Sequence, residues 1–204
     1  MEKQLEQSIL VNVFSRAIEF GNKWLTLSRY IFKDDDDNIF HKLEGMMFVS
    51  TIVCIELWLW ADNIPTIIAF IIAILLIQRV IEFIIVYCRN FIFNRGRIFT
   101  HFHDSKKRGE WLITMFAMNI TQMIFVFAYW FQLISTVYPK SFTQTMGALD
   151  SLYFSLTTFI TIGGNIFPIS DLAKIVTMFQ GALTFFTLVI VINGLISIHF
   201  RDNK

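Results

Sequence analysis

Charge is scarce in this sequence: Asp, Glu, Lys and Arg make up 16% of 204 residues, against 55% apolar residues and 23 phenylalanines. A soluble domain carries about a quarter charged residues and far less Phe, so a soluble fold would leave several apolar runs unburied. Cysteine and proline are also sparse, at 2 and 3 residues. Cys54 and Cys88 alone cannot staple a disulfide scaffold, and no CxxC or Cys/His cluster offers a metal site. A net charge of +1 without a dense Lys/Arg patch gives no case for nucleic acid. The first 30 residues lack a compact apolar core and a small-residue cleavage site, so no cleaved signal peptide is expected. No nucleophile–base pair or metal-ligand cluster stands out, which argues against an enzyme and against any bound cofactor.

What is present is a series of apolar runs separated by charged connectors. Within residues 1–32, Leu5, Ile9, Val13, Ala17, Phe20, Trp24, Leu27 and Ile31 recur at a spacing of three to four. This predicts an amphipathic helix on the membrane surface or packed under a bundle. The run Asp34-Asp35-Asp36-Asp37 that follows reads as a solvated linker, since nothing nearby supplies the spaced ligands and glycine of a calcium loop. Residues 1–45 thus form an interfacial segment with its acidic linker. Residues 46–61 and 66–88 are two apolar runs around the turn Asp62-Asn63-Ile64-Pro65, a transmembrane hairpin over 46–88. Residues 89–109 hold six Lys or Arg and form a basic loop, and runs 111–138 and 172–198 complete four spans. The basic loop belongs on the cytoplasmic side, which puts both termini there too, in a multi-pass protein of the cell membrane. The same loop is suited to anionic lipid headgroups, although the simpler reading is a topology signal.

Between the last two runs lies Ala148-Leu149-Asp150-Ser151-Leu152-Tyr153-Phe154-Ser155-Leu156-Thr157-Thr158-Phe159-Ile160-Thr161-Ile162-Gly163-Gly164-Asn165. Its apolar part is too short to cross a bilayer, which predicts a re-entrant helix ending near Thr158, followed by irregular backbone. Such backbone is tolerated at membrane depth only inside protein or along a water-filled path. Main-chain oxygens of an extended Thr161–Gly164 segment, with Asn165 beside it, could replace a cation's lost hydration, and glycine permits the angles that aim them at one axis. One chain supplies only one wall, so several copies are needed.

This segment resembles the pore region of the potassium-channel superfamily, in which a pore helix D-x-L-Y-F-S-L-x-T leads into T-x-T-T-V-G-Y-G-D and then a proline. Asp150, Leu152, Tyr153, Phe154, Ser155, Leu156, Thr158, Thr161, Gly163, Gly164 and Pro168 fall in register. The resemblance covers roughly residues 110–200, a pore module of outer helix, pore helix, filter and inner helix. It implies a homotetramer conducting monovalent cations passively, potassium above all. Three departures bear on selectivity. Ile160 stands where threonine is usual, Asn165 where aspartate is usual, and the aromatic residue between Gly163 and Gly164 is missing. A filter one residue shorter loses one ring of carbonyls, which implies weaker discrimination between potassium and sodium. The alternative is a non-conducting or regulatory membrane subunit with the same fold.

The expected architecture is therefore all-α and integral to the membrane: four transmembrane helices plus a re-entrant pore helix and filter loop, assembled as a homotetramer in the lipid bilayer. Ion-binding residues are Thr161, Ile162, Gly163, Gly164 and Asn165. The pore helix contributes Asp150, Tyr153, Thr157 and Thr158. Gly181, Thr184, Thr187, Val191 and Gly194 are the candidates for lining or hinging the inner helix, and no metal beyond the permeant potassium or sodium is expected. Arg79 and Glu82, three apart in one run, can pair. Glu56 has no evident partner.

Overall fold

The computed structural model describes Arg16, residues 39–87 and residues 105–202, with side chains described over 44–85 and 113–189. The amphipathic segment expected over 1–32, the acidic run and residues 88–104 of the basic loop lie outside the described residues. Over the described residues 39–87 and 105–202, five α-helices follow one another: α1 (Ile39–Leu59), α2 (Thr66–Tyr87), α3 (Ser105–Val137), α4 (Ala148–Phe159) and α5 (Asp171–Asp202). No strand occurs among the described residues; an isolated antiparallel bridge joins Phe142 to Pro168.

The hairpin turn forms as its residues dictate. A short 3-10 turn over Ala61–Asn63 ends α1, and the carbonyl of Pro65 accepts the Ala69 N–H at 2.9 Å to begin α2. Proline suits this position because its fixed φ prepares the helix and its missing N–H costs nothing there. Two helices start earlier than the apolar runs suggest. α1 begins at Ile39 and α3 at Ser105, inside the basic stretch, because Lys, Arg and Glu sustain a helix as well as apolar residues do.

Among the described residues, stretches long and apolar enough to cross a bilayer lie in three helices, over Thr66–Ile85, Ile113–Val137 and Asp171–Val189. Their outward faces are apolar, with Ile67 78%, Ile74 64% and Phe185 71% exposed on the single chain. Water does not cover such faces; lipid or a second copy does.

The core lies along α3, which touches every other helix. Val126, Phe127, Ala128 and Phe131 are fully buried on it. Phe131, Phe142 and Phe154 form a triangle of edge-to-face rings with centroids 4.8–5.9 Å apart. They lock α4 and the loop after α3 against α3, each pair adding about 0.5–1.5 kcal/mol beyond the area it buries. Polar contacts fix the hairpin to the same helix. The Tyr129 hydroxyl donates to the Ala69 carbonyl at 3.0 Å. The Gln122 amide lies 2.7–2.9 Å from Ser50 Oγ, Thr51 Oγ1 and the Met47 carbonyl. Two N–H bonds cannot serve three acceptors at once, so two are taken at a time. Arg79 donates to Glu82 at 2.8 Å and to Gln122 Oε1 at 3.0 Å, as the three-residue spacing of the ionic pair suggests.

Candidate functional site: the pore helix and filter turn

α4 is 12 residues long, Ala148 to Phe159, about half of a bilayer crossing. Asp150 lies in its first turn, where a carboxylate complements the positive end of the helix. Gly147 caps it without a side-chain hydrogen bond, so the helix relies on its neighbours for position. Ser155 supplies the central anchor. Its hydroxyl donates to the Ile124 carbonyl of α3 at 2.8 Å, while Gln180 Nε2 of α5 donates to the Ser155 carbonyl at 2.9 Å and hydroxyl at 3.0 Å. One small residue thereby binds α3, α4 and α5 together, and Ser155 is wholly buried to do so.

The helix ends in a recognisable device. Ile162 N–H donates to the Thr157 carbonyl at 3.1 Å and Thr161 N–H to the Thr158 carbonyl at 3.2 Å. These two bonds make a Schellman cap, whose left-handed position is usually glycine. Here it is Thr161, at φ 57°. The expectation of an extended segment from Thr161 onward is therefore corrected at that residue, because capping the orphan carbonyls of α4 draws its backbone into the left-handed region. Gly163 also has positive φ, 77°, whereas Ile162 does not. No hydrogen bond from a described residue reaches the backbone carbonyls of Thr161 to Gly164. Thr161, Ile162, Gly163 and Asn165 are exposed on this face, and Gly164 is half-buried.

Gly164 sits on the pore helix. A Cβ there would lie 3.1 Å from Tyr153 Cε1 and 3.4 Å from Thr157 Oγ1. Tyr153 is half exposed on α4, and Thr157, buried, donates its hydroxyl to the Tyr153 carbonyl at 2.9 Å. Thr158 is half-buried one position on. Beyond the turn the chain is clamped. Buried Ile166 anchors it, Thr143 N–H donates to the Phe167 carbonyl at 3.0 Å, and Ile169 N–H donates to the Ser141 carbonyl at 2.7 Å. The turn is thus held at both ends, with its middle free on one side.

A β-branched residue in the left-handed region costs roughly 1–2 kcal/mol. Thr161→Gly is expected to raise the melting temperature of the purified protein, by a net gain of about 1 kcal/mol after glycine's added chain entropy. An unchanged or lower melting temperature would show that the threonine side chain makes compensating contacts in the assembled protein.

Two of the inner-helix candidates are buried on the single chain. Thr184 and Thr187 are only 2% and 3% exposed on the single chain. With Gln180 they face Met123 and Phe127 of α3 across a small cavity, on the side of α5 turned toward α3. The bond from Gln180 to Ser155 sets this rotation of α5, and a one-residue difference in phase moves a helical stripe by 100°. Gly181 is half-buried, a Cβ added to it would meet nothing within 4 Å, and α5 runs through it unbroken. Val191 and Gly194 lie on α5 outside the described side chains. Sequence reasoning missed Ser155 and Gln180 as the organising pair, since a contact 25 residues apart has no local pattern. Glu56 is exposed near the end of α1.

Residues 112–201 match a protein-family model described as "Ion channel". This segment takes in most of α3, all of α4 and the turn after it, and nearly all of α5. No curated protein and no solved structure matches the chain.

Proposed function

We propose that this chain is a subunit of a potassium-channel-like cation channel, in which four copies set their filter turns around one axis and pass monovalent cations down their electrochemical gradient. The observation that carries the reading is the turn from Thr161 to Gly164: consecutive carbonyls without partners among the described residues, exposed on one side of the subunit, at the end of a half-length helix inside the ion-channel segment. Unpartnered carbonyls are costly in hydrocarbon and useful beside a cation. Thr161, Ile162, Gly163 and Gly164 would supply oxygens, with Asn165 at the mouth. Potassium and, given the shortened turn, sodium are the permeant ions, and no other cofactor is invoked.

In this reading α1 crosses the bilayer as a fourth span beside α2. The basic loop and both termini face the cytoplasm, with anionic lipid at the loop, and the membrane is that of the cell. The exposed stripe of Leu149, Tyr153, Leu156 and Ile160 on α4 then meets the neighbouring subunit, and the activity is passive conduction without catalysis.

Purified protein in potassium-loaded liposomes is expected to take up radioactive rubidium, driven by the inside-negative potential that the outward potassium gradient sets up, and Thr161 or Gly163 variants are expected to change that flux. Reconstituted protein that carries no potassium, sodium or rubidium at any voltage or pH would replace this reading with that of a non-conducting membrane subunit.

A further inference from the structure

The hairpin of α1 and α2 lies outside the segment that matches the ion-channel model, yet one of its side chains reaches the start of the pore helix. Trp58, on the last turn of α1, is 6% exposed. Its indole Nε1–H donates to the Ala148 carbonyl at 3.1 Å and to Ser151 Oγ at 3.2 Å. Ser151 is fully buried and its hydroxyl donates in turn to the Ala148 carbonyl at 2.8 Å. The indole ring packs on Phe125 of α3, centroids 5.2 Å apart.

This contact falls where the pore helix is least able to hold itself. The cap residue, Gly147, offers no side chain. A further fastening at that end is the Met146 N–H, which donates to Ser135 Oγ of α3 at 2.9 Å. A buried indole N–H needs a partner, and the first turn of α4 supplies two acceptors for it. The satisfaction of a group in one part of the chain thus depends on where the other part sits.

We propose that Trp58 is a positioning residue for the filter: by holding the first turn of the pore helix, it makes the N-terminal hairpin set the placement of the Thr161–Gly164 turn at the helix's far end. A 12-residue helix pinned at Ser155 acts as a short lever. Release at Ala148 is felt at Ile160, because the helix between them is continuous. The hairpin is then a built-in determinant of ion discrimination rather than an independent membrane anchor. The functional half of this inference rests on the channel reading above; the structural half does not.

Trp58→Phe keeps an aromatic ring against Phe125 and removes the donor. In the full-length protein, hydrogen exchange of amides 148–160 is expected to accelerate roughly two- to tenfold, the equilibrium factor of one net hydrogen bond, with the α5 amides unchanged. At equal abundance of assembled protein, the rubidium-to-sodium permeability ratio in liposomes is expected to move by a similar factor. Ser151→Ala, which leaves the indole in place, gives a smaller change in the same direction. Adding it to Trp58→Phe gives less than the sum, because both act on one contact. Should Trp58→Phe fail to assemble, Ser151→Ala carries the same two measurements. Unchanged exchange over 148–160 in the assembled variants overturns the tether. Faster exchange with an unchanged permeability ratio overturns the link to the filter. Faster exchange in a protein that conducts nothing, wild type included, upholds the tether and sinks the channel reading instead.

Discussion

Replacing Glu82 by leucine is expected to cost the folded subunit about 3–5 kcal/mol, the usual penalty for leaving a buried charge without its partner. Arg79 and Glu82 lie within the apolar stretch Thr66–Ile85, with side chains 18% and 5% exposed and their charged atoms 2.8 Å apart. Leucine at position 82 leaves a guanidinium that cannot lose its proton in an environment that does not solvate it. Arg79→Leu removes the other side of the pair and is expected to destabilise the subunit as well. The double change Arg79→Leu with Glu82→Leu removes both charges and is expected to recover most of the loss. What it does not recover is about 1–3 kcal/mol for Gln122 Oε1, which accepts from Arg79 Nε at 3.0 Å and would be orphaned. The yield of monodisperse protein on gel filtration after detergent extraction, with its melting temperature, ranks the three variants. Equal stability of Glu82→Leu and wild type would mean that the pair is hydrated in the membrane, contrary to its burial.

Inserting a tyrosine between Gly163 and Gly164 is expected to sharpen preference for potassium over sodium roughly tenfold, equivalent to about 1.4 kcal/mol of differential binding. The turn is fixed upstream by the Ile162–Thr157 bond, 3.1 Å, and downstream by the bridge of Phe142 to Pro168. An added residue must therefore be accommodated between those points. Gly164 already abuts Tyr153, so the new residue emerges on the exposed side and contributes one more carbonyl per subunit. Each full ring of carbonyls is a further place at which an ion exchanges hydration for protein oxygens. Reversal potentials under bi-ionic conditions read the ratio, and a ratio equal to that of wild type would sink the proposal that the shortened turn weakens selectivity.

Much of the helical plan is legible in the sequence, because long apolar runs and a short one have few readings in a membrane. The run 66–88 becomes α2, Thr66–Tyr87, and the re-entrant segment becomes α4, Ala148–Phe159. The end of the pore helix is less legible. Glycine is the usual sign of a left-handed cap, and Thr161 occupies that position without one. The facing of α5 is not legible either. Gly181, Thr184 and Thr187 have the spacing of any buried stripe, and only the Gln180–Ser155 bond decides which partner the stripe meets. Trp58 reads as one more residue of an interfacial aromatic belt, since nothing local marks a bond to a residue 90 positions away.

The pairing of Arg79 with Glu82 is closed within a single turn of α2. During synthesis the segment can therefore enter the bilayer with its charges already cancelled, before α3 has left the ribosome. Gln122, arriving later with α3, then meets a pair that is already closed.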